Sequence, residues 1–185
     1  MAPYIRIMAG KCIFIVGYMG SGKSTGGQRL ARAMGYAFTD MDAALVEESG
    51  MSINELFVVA GEAGFREVER KLLHRLAQGS DAHVVATGGG TPCYADNMDF
   101  MLENGRVIQF KVELHSLLER LRARRKHRPL IADIPDEDLE GFIRKHLDER
   151  APFYNRAHIS VDAEALDGER IASVIRMINS GGINP

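Results

Sequence analysis

Residues 17–24 have the sequence Gly17-Tyr18-Met19-Gly20-Ser21-Gly22-Lys23-Ser24, which matches the phosphate-binding pattern GxxxxGK[ST] at every fixed position. Residues 11–16, before this loop, are mostly apolar and β-branched, and they predict a buried strand. Residues 23–34, after it, have a helix-forming composition, and Gly35 is placed to cap that helix. Strand, glycine loop and helix form the context that the motif requires, so the sequence predicts a site for a nucleoside triphosphate.

The residue types in the loop indicate how it would bind phosphate. Glycines allow the backbone to curl so that several N–H groups point at a phosphate chain, and the start of the helix adds its positive dipole end. Lys23 is placed to reach the β- and γ-phosphates, and Ser24 is placed to bind Mg²⁺. The other predicted ATP-binding residues of this segment are Gly20, Ser21, Gly22 and Thr25.

Length and composition restrict the class of protein. A chain of 185 residues with 45% apolar residues predicts one soluble domain, residues 1–185. The net charge of −2 provides no general basic field for nucleic acid, and no apolar run approaches the ~20 residues of a membrane helix. The N-terminus carries no signal-peptide pattern, so we expect a cytoplasmic protein that binds neither nucleic acid nor membrane.

The cysteines and histidines predict no metal site made of side chains alone. The two cysteines, Cys12 and Cys93, form no CxxC motif, and the six histidines form no HxxxH or HExxH pair. Cys12 lies in the predicted buried strand and is expected to be a small core residue.

Hydrophobic periodicity along the chain predicts strands that alternate with helices. The predicted strands are residues 11–16, 36–39, 83–87, 106–110 and 159–161. The predicted helices are residues 23–34, 43–49, 53–60, 62–76, 97–103, 114–124, 138–150 and 169–178, with an exposed loop at 125–135. Val68 is expected on the apolar side of the helix over 62–76. This order predicts an α/β fold with a five-stranded parallel sheet and right-handed crossovers.

Asp40 and Asp42 follow the second predicted strand, at the edge of the sheet where ligands bind in such folds. If strand alternation continues, both carboxylates point the same way. One would hold the water shell of a metal, and the other would accept a hydrogen bond from an attacking hydroxyl. Alternatively, Asp42 is the N-cap of the helix that follows. The sequence leaves both interpretations open.

Two further features have an ordinary structural explanation beside a functional one. Gly88, Gly89 and Gly90 follow the third predicted strand, where they would let backbone N–H groups approach a ligand or would simply form a flexible turn. Arg66, within the segment GEAGFREVE at 61–69, would bind an anion or would be a solvated charge on an amphipathic helix.

In this order and spacing, the motifs together resemble those of the shikimate kinase family. The resemblance extends from Ile13 to about Val161. Besides the phosphate loop, it rests on five motifs, which are Asp40-x-Asp42, GExxFRxxE at 61–69, ATGGG at 86–90, Arg128-Pro129-Leu130 and Arg150-Ala151-Pro152-Phe153-Tyr154. This family phosphorylates the 3-hydroxyl of shikimate with ATP, on the route to chorismate and the aromatic amino acids. The resemblance therefore implies a P-loop kinase fold.

The resemblance also implies roles for the substrate-side residues. Asp42 would bind shikimate hydroxyls and orient or deprotonate the attacking one. Arg66 and Arg150 would hold the substrate carboxylate, for which the fork of a guanidinium is suited. Gly88, Gly89 and Gly90 would offer backbone contacts to the substrate. Glu69 would hold Arg66 through an i,i+3 pair.

On the nucleotide side, the resemblance implies that Lys23 contacts the transferring phosphate. Ser24 would bind Mg²⁺ directly, and Asp40 would bind it through water. Arg128 would lie on a mobile lid and neutralise charge during transfer, and Arg124 is the lid arginine chosen to stack on adenine. The catalytic set is thus Lys23, Asp42 and Arg128.

The implied organisation is a P-loop core with a helical substrate-binding region at about 41–70 and a lid at about 122–138. The implied partners are ATP and shikimate, the implied cofactor is Mg²⁺, and the family suggests a monomer. Two alternative functions remain. One is a related small-molecule kinase such as a gluconate kinase, and the other is a nucleotide-binding regulator without catalysis.

Overall fold

Five strands form one parallel sheet within the part of the chain that the computed structural model describes, residues 12–79, 81–123, 125, 129–164 and 166–180. The strands are β1 (Cys12–Val16), β2 (Ala37–Asp40), β3 (His83–Ala86), β4 (Gly105–Lys111) and β5 (Ile159–Asp162). Their order across the sheet is β2-β3-β1-β4-β5, and every neighbouring pair is parallel. The predicted five-stranded α/β fold is confirmed, with β1 at the centre.

Seven α-helices lie between and after these strands within the described residues. They are α1 (Lys23–Met34), α2 (Met41–Ser49), α3 (Ile53–Ala77), α4 (Asn97–Asn104), α5 (Leu114–Ala123), α6 (Asp136–Tyr154) and α7 (Gly168–Asn179). Local sequence explains several of their ends. Gly35 adopts a left-handed conformation and its N–H closes α1, while Ser52 and Glu55 form a reciprocal capping box at the start of α3.

Both faces of the sheet are covered, as expected for a parallel sheet. Along β1, the side chains alternate between two buried clusters. Phe14 belongs to a cluster with Met41, Leu73 and Leu121 on one face. Ile15 belongs to a second cluster on the other face, together with residues of α1 and α7. This packing fixes the carboxyl ends of the strands, where the phosphate loop begins.

Helix α3 joins the two helices that were predicted over 53–60 and 62–76. Gly61 interrupts it with φ 66° and ψ 173°, a backbone conformation that glycine adopts readily. The second half turns Arg66 and Glu69 inward, and Val68 is left 40% exposed. The expectation that Val68 lies on the apolar side is therefore wrong, because polar side chains occupy the inner face there.

Of the segment predicted as an exposed loop over 125–135, the structure describes residues 125 and 129–135, and part of these residues is buried. Residues 129–131 form a short 3₁₀ turn, and the side chain of Ile131 is fully buried. Nε of Arg125 donates to the Ile131 carbonyl over 2.9 Å, and the Arg125 guanidinium pairs with Asp136 over 2.5 Å. The loop interpretation missed this anchor because a single buried isoleucine has no periodicity. Arg124 and Arg128 of the predicted lid lie outside the described residues.

Candidate active site

The phosphate loop follows β1 and has the backbone that its glycines were expected to allow. Gly17, Gly20 and Gly22 all have positive φ, of 145°, 84° and 85°. A side chain at Gly17 would also approach the carbonyl of Phe110 to 2.6 Å. Gly22 is the N-cap of α1 and provides no side chain to accept from the first N–H groups of the helix. The start of α1 is therefore arranged to receive an anion.

Lys23 folds back across the loop. Its Nζ donates to the carbonyl oxygen of Gly17 over 2.8 Å and to that of Tyr18 over 2.9 Å. The ammonium group is thus held at the centre of the loop by backbone oxygens. A phosphate oxygen entering the loop would meet this charge together with the helix dipole.

A cavity of about 530 Å³ opens in front of the loop, and we name it the phosphate-loop cavity. Its walls come from the loop, from the ends of β2 and β3, and from α5. They are Met19, Gly20, Gly22, Lys23, Ser24, Thr25, Asp40, Asp42, Thr87, Gly89, Arg120 and Ala123. All but one of the residues of this loop predicted to bind ATP are therefore together here.

Ser21 is the exception. Its side chain is 1% exposed and does not line the phosphate-loop cavity, and its N–H donates to the carbonyl of Tyr18 over 3.1 Å. Within the described residues its Oγ has no hydrogen-bond partner. The side chain of Ser21 is thus buried outside the phosphate-loop cavity.

A second cavity of about 610 Å³ lies beside the first, and we name it the arginine cavity. It is lined by Met19, Asp42, Ile53, Phe57, Phe65, Arg66, Glu69, Gly88, Gly89, Gly90, Ala123, Leu130 and Arg150. Met19, Asp42, Gly89 and Ala123 line both cavities. The two cavities therefore meet beside the Asp42 carboxylate.

Asp42 lies in the first turn of α2 and is not its N-cap. The cap is Asp40, whose Oδ1 accepts from the N–H of Ala43 over 3.2 Å. The capping interpretation of Asp42 is therefore wrong. The argument from strand alternation also fails, because the helix already begins at Met41. Asp40 and Asp42 nevertheless line the same cavity, with Asp42 reaching the arginine cavity as well.

Arg66 is 8% exposed, so its interpretation as a solvated surface charge is wrong. It forms the predicted ion pair with Glu69, which is 1% exposed and also accepts from Oγ1 of Thr91 over 2.8 Å. Burial raises the pKa of Glu69, and the charge of Arg66 opposes that rise. The stacked rings of Phe57 and Phe65, 4.2 Å apart, both lie within 6 Å of the Arg66 guanidinium carbon.

Arg150 differs from Arg66 in its electrostatic surroundings. It is 7% exposed and lines the arginine cavity from α6. Among the described residues, no carboxylate lies within 4.0 Å of its guanidinium nitrogens. Its guanidinium carbon lies 5.5 Å from the centre of the Tyr18 ring. A buried cation without an acidic partner, next to a cavity, is a site for an anion.

Close packing explains the glycine triplet better than flexibility does. A Cβ at Gly88 would overlap the Glu69 carboxylate, and a Cβ at Gly90 would lie 2.5 Å from Nη2 of Arg66. At Gly89, a Cβ would lie 3.4 Å from Nη1 of Arg150. The missing side chains make room for both guanidinium groups.

Sequence reasoning missed several residues that line the cavities. Arg120 of α5 lines the phosphate-loop cavity and donates to the Gly20 carbonyl over 3.2 Å and to Glu164 over 3.0 Å. Phe57 lines the arginine cavity beside Arg66, and Thr91, which lines neither cavity, donates to Glu69. The sequence prediction looked for the adenine contact among the lid arginines and chose Arg124, which lies outside the described residues. No sequence signal distinguished Phe57 from an ordinary core residue.

The two residues predicted to bind the metal both have oxygen donors in their side chains. Ser24 and Asp40 line the phosphate-loop cavity and offer oxygen ligands, which Mg²⁺ prefers. In the described part of the chain, no group of three or more His, Cys, Asp or Glu side chains is arranged to hold a metal by itself. A site completed by substrate phosphates needs only one or two protein oxygens.

Comparisons with known proteins show similarity over most of the chain. A family model described as shikimate kinase matches residues 19–179. A shikimate kinase from Phocaeicola vulgatus is 44% identical over 158 residues, which are 85% of this chain and 90% of that protein.

Solved structures give the same result. The crystal structure of shikimate kinase from Bacteroides thetaiotaomicron has a TM-score of 0.82 at 39% identity, covering 92% of this chain and 97% of that one. Shikimate kinase from Acinetobacter baumannii in complex with shikimate has a TM-score of 0.81 at 32% identity, covering 94% and 96%. A gluconokinase from Sinorhizobium meliloti, at 19% identity and a TM-score of 0.55, shares the fold alone.

No helix among the described residues is both long and apolar enough to span a membrane.

Proposed function

The chain belongs to the shikimate kinase family, and we propose that it transfers the γ-phosphoryl group of ATP to the 3-hydroxyl of shikimate where its two cavities meet. The observation that carries this proposal is the buried guanidinium of Arg150. It lacks an acidic partner among the described residues and lies in the cavity next to the phosphate loop. A hydroxylated carboxylic acid supplies both the missing anion and an acceptor for phosphate.

The substrate carboxylate would bind to Arg66 and Arg150. Arg66 already has a carboxylate partner in Glu69, so it contributes a guanidinium whose orientation is fixed. Arg150 contributes the uncompensated charge. Backbone groups of Gly88, Gly89 and Gly90 line the same cavity and would contact the ring of the substrate. The apolar rings of Phe57 and Phe65 would cover its faces.

Asp42 would then face the hydroxyl that attacks. It lines both cavities, so its carboxylate is placed to accept a hydrogen bond from that hydroxyl and to take its proton. Lys23 would contact the transferring phosphate from the phosphate loop. Phosphoryl transfer needs mainly alignment and charge neutralisation, and these groups provide both.

The nucleotide side completes the proposal. Gly20, Gly22, Lys23, Ser24 and Thr25 would bind the phosphates of ATP. Ser21 would bind ATP as part of the same loop, although its side chain is buried outside the cavity.

Ser24, with Asp40 acting through water, would hold Mg²⁺, which neutralises phosphate charge when bound. From the family resemblance we include Arg128 as a charge-neutralising lid residue and Arg124 as an adenine contact. Arg120 is a further candidate for that contact, because it lines the cavity.

We propose the same organisation as the family resemblance implies. A single domain over residues 1–185 contains a substrate-binding region at about 41–70, which supplies Asp42 and Arg66, and a lid at about 122–138. We propose that the protein acts as a monomer in the cytoplasm. One chain lines both cavities, which supports the monomer. Sedimentation analysis with and without both substrates tests it.

A coupled assay of ADP release tests the function. The purified protein with Mg²⁺ and ATP is offered shikimate, quinate, gluconate or no acceptor. We expect rapid ADP release with shikimate alone and a product phosphorylated at the 3-hydroxyl by NMR. Turnover with gluconate instead would favour the alternative kinase, and nucleotide binding without any turnover would favour the regulator.

A further inference from the structure

Tyr18 is a residue of the phosphate loop whose side chain plays no part in lining the phosphate-loop cavity. The loop motif requires no particular side chain at this position, because phosphate is bound by backbone N–H groups. Lys23 likewise uses only the backbone carbonyl of Tyr18. The phenol ring is nevertheless 2% exposed, so it is packed against other parts of the molecule. Its role must lie with those neighbours.

Two of these neighbours belong to α6. The guanidinium carbon of Arg150 lies 5.5 Å from the centre of the Tyr18 ring, which is within the range of a cation–π interaction. The Tyr18 hydroxyl lies 3.1 Å from Nδ1 of His146. His146 and Arg150 are four residues apart and so lie on the same face of the helix. Tyr18 thus contacts the arginine and also the histidine one turn before it.

We propose that Tyr18 is a positioning residue that orients the Arg150 guanidinium and so sets the affinity for the substrate carboxylate. This inference rests on the proposed function, in which Arg150 binds that carboxylate. Arg66 is oriented by its ion pair with Glu69, whereas Arg150 has no carboxylate within 4.0 Å among the described residues. An aromatic face orients a guanidinium without neutralising it, which leaves its charge available to a ligand.

His146 holds the Tyr18 ring in place. The two rings meet edge-on, with centroids 5.7 Å apart and planes at 89°, and Phe142 packs against His146 at 5.1 Å. Burial lowers the pKa of His146, and the charges of Arg150 and Arg66 lower it further, against the opposing effect of Glu149 and Glu62. At neutral pH the imidazole is therefore uncharged, and its Nδ1 can accept the hydroxyl hydrogen of Tyr18.

The test compares two substitutions that distinguish the contribution of the Tyr18 ring from that of its hydroxyl. Tyr18→Leu removes the aromatic face, and we expect the KM for shikimate to rise about 3- to 30-fold, the range of a partly buried cation–π contact. Tyr18→Phe keeps the face, and we expect it to restore most of that loss. The Kd for ADP should change far less in both variants, because Lys23 and the phosphate contacts use the backbone of residue 18.

A double-mutant cycle shows whether Tyr18 acts through Arg150. Arg150→Ala by itself should raise the KM for shikimate. In that background Tyr18→Leu should add little, because the group that it orients is gone. As a second measurement, the carboxamide analogue of shikimate, which lacks the anion, should show the same KM with wild-type protein and with Tyr18→Leu. If Tyr18 served only to fold the loop, Tyr18→Leu would raise the KM for shikimate and the KM for its carboxamide analogue equally.

The outcomes distinguish the two proposals. If Arg150→Ala leaves the KM for shikimate unchanged, the proposed function of the arginine cavity fails. If Arg150→Ala raises this KM but Tyr18→Leu does not, only the positioning role is overturned. Equal and additive effects of the two substitutions, or an equal loss of affinity for ADP and shikimate in Tyr18→Leu, also overturn the positioning role.

Discussion

The guanidinium of Arg66 is paired with the buried carboxylate of Glu69, three residues further along α3. Arg150, on the other side of the same cavity, has no such partner among the described residues. The two arginines therefore contribute differently. One is part of a neutral, preorganised pair, and the other is a buried positive charge that a ligand can neutralise.

This contrast predicts different effects of the two arginines on stability. Arg66→Ala leaves the Glu69 carboxylate buried without its cation, so the free energy of unfolding should fall by about 3–5 kcal/mol. Arg150→Ala breaks no ion pair between described residues and removes a buried charge, so the change should be about 1 kcal/mol or less. Both substitutions should raise the KM for shikimate. Urea unfolding of the two variants checks this, and equal losses of stability would contradict the proposed difference.

Thr91 is predicted to stabilise the site through its hydroxyl, which donates to Oε1 of Glu69 over 2.8 Å. Thr91→Val keeps the shape but leaves a buried carboxylate oxygen without that donor, so the free energy of unfolding should fall by about 1–3 kcal/mol. Thr91→Ser keeps the donor and serves as the matched control. Denaturant unfolding measures both. A Thr91→Val variant as stable as the wild type would show that the hydroxyl is not needed.

Gly90→Ala should weaken both substrate binding and the fold. The added Cβ would lie 2.5 Å from Nη2 of Arg66, so the buried guanidinium would have to shift against its ion pair with Glu69. Displacing that guanidinium should raise the KM for shikimate about tenfold or more, a change of about 1.4 kcal/mol in binding. Gly141→Ala on α6 is the control, because nothing lies within 4 Å of its Cβ. It should leave the KM unchanged and stabilise the helix by about 0.5–1 kcal/mol.

Stability should depend on pH through two histidines. Burial lowers the pKa of His83 and of His146 below 6.5. Between the lowered values and 6.5, the unfolded chain binds more protons than the folded chain, so their contribution to stability is lost as the pH falls. Glu69 has the opposite sign, because its raised pKa favours folding most below 4.5 and less as the pH rises.

The free energy of unfolding, measured between about pH 7.5 and pH 5.5, reports how the two histidines affect stability. His146→Gln should lose less stability on acidification than the wild type does, because it removes one of the two groups. Glu69 remains the same in both proteins, so its opposite effect cancels in the comparison. Identical pH profiles would contradict the assignment.

The fold was predictable because it depends on repeated local signals. The glycine loop and the apolar run before it predicted β1 and α1 to within a residue. The capping box at Ser52 located the start of α3. Prediction failed where a single contact determines whether a residue is buried. Ile131 is fully buried, although no periodic pattern in its own segment indicates this.

The site was predictable in its motifs and not in its electrostatics. The pairing of Arg66 and Glu69 was implied by the family resemblance, but their burial depends on Thr91 and on the glycine triplet, which come from another part of the chain. That no described carboxylate pairs with Arg150 likewise becomes visible only when the elements around it are in place. The sequence left open whether Asp42 caps α2, because the helix was predicted to begin at residue 43, whereas it begins at Met41 and is capped by Asp40.

Asp42 is proposed to assist the attacking hydroxyl where the two cavities meet. Asp42→Asn keeps the size and the hydrogen-bonding capacity of the side chain but removes its ability to take a proton. The decisive measurement is single-turnover transfer of labelled γ-phosphate from ATP to shikimate, made on wild-type and Asp42→Asn protein whose affinities for both substrates are known. We predict a loss of about 10²-fold or more in the transfer rate with ATP binding retained. Transfer at the wild-type rate by a variant that binds both substrates would contradict the account.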